Sequence, residues 1–132
     1  MNVVLIFLFG ILGGLARFEI ATYLPKTGVF PLATLLINLV GCYLFTFFIK
    51  NYLAAHNVHE RLILAMGTGF IGAFTTFSSF MLDTDNLLVA HSYGLLALYV
   101  VLSIVGGLAM ALLGMVHGRR HVSRLGHGGS HA

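Results

Sequence analysis

Small and hydroxyl-bearing residues interrupt an apolar run at positions 67–80, whose sequence is GTGFIGAFTTFSSF. Glycine frees the backbone, and the hydroxyl groups of Thr75 and Thr76 can bond to main-chain groups, so regular helix is weakened there. At membrane depth, irregular backbone is tolerated only where it is buried in protein or lines a wet cavity, and it then offers carbonyls to cations or N–H groups to anions. The stretch therefore predicts either a broken helix with an ion site or a kinked packing helix without a ligand.

Two phenylalanines, Phe77 and Phe80, follow the predicted break and share one helix face because they are three residues apart. A phenyl ring has a positive edge, so two rings turned edgewise toward a narrow path help to replace water around a small anion. The ordinary alternative is that such a pair faces lipid or fills a core. The two rings therefore indicate an anion path only if hydrogen-bond donors from other residues lie beside them.

Polar side chains also lie near the centres of two other apolar runs. Asn38 follows Thr34 by four residues, and an amide at that depth either bridges helices or faces a polar pathway. Tyr99 and Ser103 share a face of the last run, and Gly107 continues that face without a side chain. Their hydroxyls either bond back to their own helix or extend the same pathway.

The composition places these residues in a membrane. Hydrophobic residues make up 58% of the 132 residues and charged residues 8%, whereas a soluble domain has about 25% charged residues. A bilayer core takes about 20 helical residues, and four apolar runs reach that length: Val3–Tyr23, Pro31–Ile49, Leu62–Leu82 and Leu87–Val116. We predict an all-α membrane protein whose residues 1–118 form four antiparallel transmembrane helices, the third broken at its centre. No nucleophile, base and oxyanion set is visible, so the sequence does not predict an enzyme.

The segment DTDN at positions 83–86 predicts the connection between the third and fourth helices. Asp and Asn cap helix N-termini, and acidic groups favour the positive end of the helix dipole, so we expect this segment to begin the fourth helix. The remaining intramembrane acid is then Glu19, which lies near the end of the first run. Cys42 is the single cysteine, so no intrachain disulfide is expected.

Basic residues are distributed unequally between the two sides of the membrane. With four spans both termini share one side, and that side carries Lys50, Arg61, Arg119, Arg120 and Arg124. The opposite side carries Lys26, together with Arg17 if that residue emerges from the first run rather than acting within the membrane. The positive-inside rule then places both termini in the cytoplasm. Residues 119–132 are rich in Gly, His and Arg and are predicted to form a disordered cytoplasmic tail.

Three short motifs resemble those of the CrcB/Fluc family of fluoride channels. They are GGLAR at positions 13–17, NLVG at positions 38–41 and GFIGAFTTFSSF at positions 69–80. The similarity covers nearly the whole chain up to Gly118 in length, number of spans and order of motifs. The third motif is highly specific, whereas the first two are weak alone.

The resemblance implies a prokaryotic plasma-membrane channel that lets fluoride leave the cytoplasm passively, built as a dual-topology antiparallel dimer with two pores. Carried over by position, the pore residues are Phe77, Phe80, Asn38, Ser103, Tyr99, Thr34 and Thr76. Arg17 corresponds to a residue near the pore entrance. The resemblance also implies a structural Na⁺ at the dimer centre, held by the main-chain carbonyls of Gly72 and Thr75 from both subunits.

Two features depart from the family pattern and leave alternatives open. Gly107 stands where the family often has a hydroxyl, and the basic tail favours one fixed orientation, although an antiparallel homodimer needs both. The chain is therefore a homodimer subunit, which the complete third motif favours, or one subunit of a heterodimeric fluoride channel. Alternatives of other classes are a small four-span multidrug-type exporter, which needs a membrane carboxylate for proton coupling, and a membrane scaffold that only packs against partners.

Overall fold

The computed structural model of the protein describes residues 2–24 and 28–128. Seven α-helices and two π-helical segments, π1 and π2, follow one another in the described chain. Their order is α1 (Asn2–Tyr23), α2 (Leu32–Leu44), π1 (Phe45–Tyr52), α3 (Leu53–Ala55), α4 (Glu60–Leu64), π2 (Ala65–Ile71), α5 (Gly72–Phe74), α6 (Phe77–Val89) and α7 (Tyr93–Gly128). Because π1 and π2 continue directly from the α-helices on either side, they add length to two helical rods rather than ending them.

Four helical stretches among the described residues are long and apolar enough to cross a membrane. They are Asn2–Tyr23, Leu32–Asn51, Glu60–Val89 and Tyr93–Gly126. The four predicted spans are thus confirmed as helical stretches. The third stretch ends seven residues later than predicted, at Val89 instead of Leu82.

The late end of the third stretch shows that the prediction for positions 83–86 was wrong. These residues lie inside α6, and the chain reverses at His91, which adopts a left-handed φ of 54°. Two of their side chains form hydrogen bonds, one within α6 and one to α7. The Thr84 hydroxyl donates to the Phe80 carbonyl at 2.8 Å, and a carboxylate oxygen of Asp83 accepts a hydrogen bond from the Tyr99 hydroxyl at 3.3 Å. A helix tolerates polar residues whose hydrogen bonds are satisfied locally or by a neighbouring helix.

Helix α1 packs mainly on π2, and two glycines let their backbones touch. A Cβ atom added at Gly13 would collide with the main chain of Phe70, and one added at Gly69 would collide with the carbonyl oxygen of Ile6. Close approach of this kind is how helices associate in lipid, where the hydrophobic effect supplies no attraction between them. The first helix is therefore held against π2, which precedes Thr75 and Thr76 in the third membrane-length stretch.

Helix α7 packs along α2 and π1 in a similar way. A Cβ atom added at Gly106 would crowd the side chain of Leu39, and one added at Gly114 would collide with the Thr46 hydroxyl. These small residues bring α7 close enough to α2 for side chains of both helices to line one surface. That surface is the wall of the site described below.

The basic C-terminal segment is helical over a longer range than the sequence predicted. The sequence predicted disorder from residue 119, but α7 continues to Gly128, and residues 129–132 lie outside the described part. Basic residues at a helix C-terminus interact favourably with the helix dipole, and extending an existing helix avoids a new nucleation cost. The His121 ring also lies 6.2 Å from the Phe47 ring, measured between centroids, so the first turn of this extension contacts π1.

Candidate functional site

The third membrane-length stretch is interrupted at Thr75 and Thr76. Helix α5 ends at Phe74 and α6 begins at Phe77, and the two threonines between them have extended backbones, with ψ angles of 155° and 117°. The Thr76 hydroxyl oxygen caps α6 by accepting a hydrogen bond from the Ser79 N–H at 3.2 Å. The Thr75 hydroxyl donates to the Ile71 carbonyl at 2.9 Å. The hydroxyl groups thus bond to main chain on either side of the interruption.

Asn38 on α2 holds the interruption in place. Its amide N–H donates to the Thr76 carbonyl at 3.1 Å, and its amide oxygen accepts from the Thr76 N–H at 2.8 Å. Three residues further on, a Cβ atom at Gly41 would collide with the methyl group of Thr75, so only glycine admits that side chain. The NLVG motif therefore carries the amide that clamps the interruption and the glycine that makes room for it.

Because of these hydrogen bonds, two main-chain carbonyls at the interruption lose the N–H donors that a regular helix would give them. In an unbroken helix the Thr76 N–H would donate to the Gly72 carbonyl and the Ser79 N–H to the Thr75 carbonyl. Here Thr76 donates to Asn38, and Ser79 donates to the Thr76 hydroxyl. Gly72 is also exposed, with no atom within 4 Å of an added Cβ. The carbonyls of Gly72 and Thr75 are thus deprived of their regular helical donors.

A groove of about 370 Å³ lies between α2, the interruption and α7. It is lined by Asn38, Cys42, Thr75, Thr76, Phe77, Phe80, Ser103 and Ile104. None of these described lining residues carries a carboxylate or a cationic base, so the groove offers dipoles and phenyl rings instead of formal charges. An amide group, hydroxyl groups, one thiol and two phenyl rings therefore surround one space.

A chain of contacts connects this groove to a second cavity. The Phe80 ring packs on the Tyr99 ring with centroids 5.3 Å apart, and the fully buried Tyr99 donates its hydroxyl to Asp83. Asp83 and Thr34 both line the second cavity, which measures about 250 Å³. Phe80 and Tyr99 therefore stand between the two spaces, with polar groups continuing on the far side.

Most of the predicted site residues come together in this region, and one does not. Thr34 and Tyr99 belong to the second cavity and its connection, whereas Arg17 is half-buried on α1 and lines neither space. Two further polar residues line these spaces although they were not among the predicted site residues. Cys42 lines the groove and Asp83 the second cavity. Helical spacing gave the signal for Cys42, which follows Asn38 by four residues, whereas Asp83 was assigned to a loop.

The Ser103 hydroxyl has no partner within the described residues. Its oxygen is buried, and no hydrogen-bond partner lies within range, although the residue lines the groove. Buried polar groups without a partner are rare and costly, so each one requires an explanation. A ligand or ordered water in the groove would satisfy this hydroxyl.

Comparison with known proteins identifies the family. The profile described as "CrcB-like protein, Camphor Resistance (CrcB)" matches residues 4–115. A protein of Streptococcus pneumoniae strain R6 named fluoride-specific ion channel FluC 2 is 49% identical over 106 residues, covering 80% of this chain and 86% of its own. Proteins of the same name from Listeria innocua and, as FluC 1, from Bacillus cereus are 40% identical over 124 residues and 45% over 112.

The Listeria innocua comparison covers 94% of this chain and 92% of the relative, and the Bacillus cereus comparison covers 83% and 81%. The resemblance noted from the three motifs is therefore confirmed along most of the sequence. The matched residues 4–115 include nearly all of α1, the Asn38 clamp, the interruption and the part of α7 that lines the groove. The chain accordingly belongs to the CrcB family, a family of fluoride-specific ion channels and not of enzymes.

Proposed function

We propose that this protein is a fluoride-specific channel that lowers cytoplasmic fluoride by passive export across a prokaryotic plasma membrane. The observation that carries the proposal is the groove, in which the Asn38 amide, the Ser103 hydroxyl and the Phe77 and Phe80 rings surround one space beside a helix interruption. The names of the bacterial relatives agree with it, since each is called a fluoride-specific ion channel.

The chemistry of the groove suits a small, strongly hydrated anion. A dry path for such an ion must replace its water with several donors, and the number of donors and the width of the path set selectivity. Dipoles and positive ring edges attract an anion without the deep binding that a fixed cation would produce, so the ion can leave again. Arg17, half-buried on α1 away from the groove, is proposed to attract fluoride near the entrance.

The open side of the groove supports a dimer. The Phe77 side chain is 76% exposed although it lines the groove, and Gly72 is exposed beside it. One chain therefore leaves the path uncovered, and a second, antiparallel copy would cover it. Two symmetry-related copies of one groove give two pores in each dimer.

A structural Na⁺ at the dimer centre fits the released carbonyls. Hard cations prefer oxygen ligands, and the carbonyls of Gly72 and Thr75 lack their regular helical donors because Asn38 and Thr76 have taken them. Gly72 also lacks a side chain that would keep a partner's backbone away. When bound, the ion would supply positive charge near the two anion paths.

Subunit composition is proposed to be an antiparallel homodimer, with a heterodimer of two related subunits as the competing outcome. The complete third motif supplies both the rings and the carbonyls from one chain. The one-sided basic residues favour a single orientation, and the relatives carry the numbered names FluC 1 and FluC 2, which suits paired subunits. Expression of this chain alone decides the matter: a homodimer conducts without a second gene product.

The proposed function is tested by reconstituting the purified dimer in liposomes loaded with fluoride or chloride. Potassium efflux through valinomycin balances the charge, and an ion-selective electrode records the released anion. We expect fluoride release and no chloride release. A folded dimer that releases no fluoride would refute the proposal.

The same liposomes distinguish the exporter alternative. A proton-coupled exporter requires a pH gradient, whereas a channel conducts down the fluoride gradient at equal pH on both sides. The structure does place Asp83 inside the third stretch, where it accepts a hydrogen bond from Tyr99. Fluoride release that needs a pH gradient would therefore favour the exporter and assign coupling to Asp83. A scaffold would release no ion under either condition.

The sodium proposal has a separate test in detergent. We expect exchange of Na⁺ for N-methylglucamine to shift the protein from dimer toward monomer in size-exclusion chromatography, because the carbonyls lose the ion that joins them. Unchanged dimer at the lowest attainable sodium would contradict the sodium site and leave the fluoride assay untouched.

A further inference from the structure

We propose that Cys42 is a further residue of the ion path, where its thiol takes the place of the side chain that Gly107 lacks. The inference rests on the proposed fluoride function and extends it to a residue that none of the three motif roles includes. Three observations carry it: the position of the thiol in the groove, its distance from Gly107, and the unpartnered hydroxyl of Ser103.

Cys42 and Asn38 lie on the same face of α2 because they are four residues apart, and both line the groove. The Asn38 amide faces the interruption, so Cys42 occupies the next turn along the same wall. Its side chain is half-buried and forms no disulfide, since the chain contains one cysteine. Cys42 is therefore a residue of the groove wall, at the edge of the contact between α2 and α7.

On the opposite wall, α7 presents Tyr99, Ser103 and Gly107 at four-residue intervals. Tyr99 and Ser103 carry hydroxyl groups, whereas Gly107 has no side chain. A Cβ atom built on Gly107 would lie 3.6 Å from the Cys42 sulfur, which is ordinary van der Waals contact. The sulfur thus borders the space that a side chain at position 107 would fill, and the row of polar groups on α7 is continued from α2.

The Ser103 hydroxyl and the Cys42 thiol do not satisfy each other. The buried Ser103 oxygen has no hydrogen-bond partner in the described part of the chain, even at the longer distance that sulfur permits. A thiol is a weak donor and a serine hydroxyl a stronger one, and the Ser103 hydroxyl is left without a partner beside the groove. An anion passing Asn38 would meet these two groups next.

A thiol on an ion path reacts with water-soluble reagents. With sodium (2-sulfonatoethyl)methanethiosulfonate, the Cys42 thiolate attacks the thiosulfonate sulfur, a disulfide forms and methanesulfinate leaves, so the oxidising equivalent comes from the reagent. The attached ethylsulfonate is negatively charged and bulky, so it would fill part of a groove of about 370 Å³ and repel fluoride. Because the chain has one cysteine, the modification is specific without any background substitution.

The first test treats reconstituted wild-type protein and the Cys42→Ser variant with this reagent, and measures fluoride release and intact mass. We expect wild type to gain one ethylsulfonate group per chain and to lose its fluoride release, while Cys42→Ser keeps both its mass and its release. Complete modification without loss of release would overturn the proposal. A thiol that stays unmodified during sustained fluoride release would overturn it as well, since the path would then not expose it.

The second test removes the donor and restores it from the opposite wall. We expect Cys42→Ala to lower fluoride release about three-fold, the size expected for loss of one weak hydrogen-bond donor, and Cys42→Ser to preserve it. The double variant Cys42→Ala with Gly107→Ser should recover the release, because the space beside Gly107 accepts a side chain. A purely structural role for Cys42 would not be rescued from α7, so failure of the double variant to recover overturns the proposal.

Thr46→Ala is the matched control on the same helix. The Thr46 hydroxyl is bonded to the carbonyls of Cys42 and Tyr43 on its own helix and does not line the groove, so its loss should leave fluoride release unchanged. Wild-type protein that releases no fluoride overturns the channel function and this inference together, whereas normal wild-type release with an indifferent Cys42 overturns this inference alone.

Discussion

The two halves of the interrupted third stretch have different surroundings. Before the interruption, π2 touches α1 backbone to backbone, and Gly69 admits the carbonyl oxygen of Ile6. Near and after the interruption, Gly72 in the short helix α5 has no neighbour within 4 Å of an added Cβ, and Phe77 at the start of α6 is 76% exposed. One half is covered by its own chain, whereas the other presents rings and main chain that the described chain leaves open.

This contrast shows that glycine serves two purposes in this protein. Where another helix of the same chain approaches, the missing side chain stabilises the fold by close packing. Where no helix approaches, the missing side chain keeps main-chain groups accessible to an ion or a second subunit. Sequence alone does not separate the two purposes. Substitutions in the covered half and in the open half of the third stretch test the difference between them.

The largest expected effect is on stability, in the half before the interruption that α1 covers. Gly13→Ala places a methyl group in the main chain of Phe70, which cannot move aside as a side chain can, so we expect a loss of about 3 kcal/mol or more. The yield of monodisperse protein and its thermal unfolding measure the effect. Gly14→Ala is the matched control because nothing lies within 4 Å of its added Cβ, and equal losses in both variants would remove the contrast.

The next effect concerns the clamp at the junction. Asn38→Asp loses the donor to the Thr76 carbonyl and places a carboxylate in the groove, so we expect fluoride release at the level of protein-free liposomes. Asn51→Asp makes the same change on π1, where the amide donates to the Thr46 carbonyl outside the groove, and release should persist. Normal release in Asn38→Asp would show that this wall does not face the ion.

The open half is tested through its rings. Phe80→Ile removes a positive ring edge while retaining an apolar side chain, so we expect fluoride release to fall about ten-fold, equivalent to about 1.4 kcal/mol. The fold should persist, which thermal unfolding will show. Phe18→Ile on α1, where the ring is 65% exposed, should conduct as wild type. An equal decrease in both variants would indicate a general effect of ring loss.

The smallest effect separates a helix cap from an ordinary hydroxyl on the same rod. Thr76→Ala removes the cap of α6, so we expect about 1 kcal/mol of destabilisation by thermal unfolding. The Thr84 hydroxyl only bonds back to Phe80, so Thr84→Ala should change stability by less than about 0.5 kcal/mol. A larger loss at Thr84 than at Thr76 would mean that the interruption is not held by its cap.

Much of the fold followed from the sequence because hydropathy and length report directly on membrane crossing. Errors arose where local polarity was taken as the end of a helix. The acidic segment at positions 83–86 and the basic segment from residue 119 both continue helices in the structure. In the first case Tyr99 accommodates Asp83 across the helix interface, and in the second the chain extends a helix that already exists.

The candidate site was predictable where chemistry and spacing coincided. Asn38, Phe77 and Phe80 were chosen because an amide and two rings are unusual together at membrane depth, and all three line the groove. Cys42 was passed over because a thiol in an apolar run gives no chemical signal of its own. Its proposed role rests on the groove that it shares with Ser103 and on its position beside Gly107.

By itself the sequence indicated that four apolar stretches are long enough to cross a membrane, that the third contains residues that weaken a regular helix, and which family the motifs resemble. The tertiary structure decided which hydrogen bonds replace the lost helical ones. Asn38 lies 38 residues before Thr76, and local propensity contains no information about so distant a partner. Packing of α2 against the interruption brings these groups together and deprives the Gly72 carbonyl of its helical donor, whereas the Thr75 carbonyl loses its donor to the local Thr76 cap.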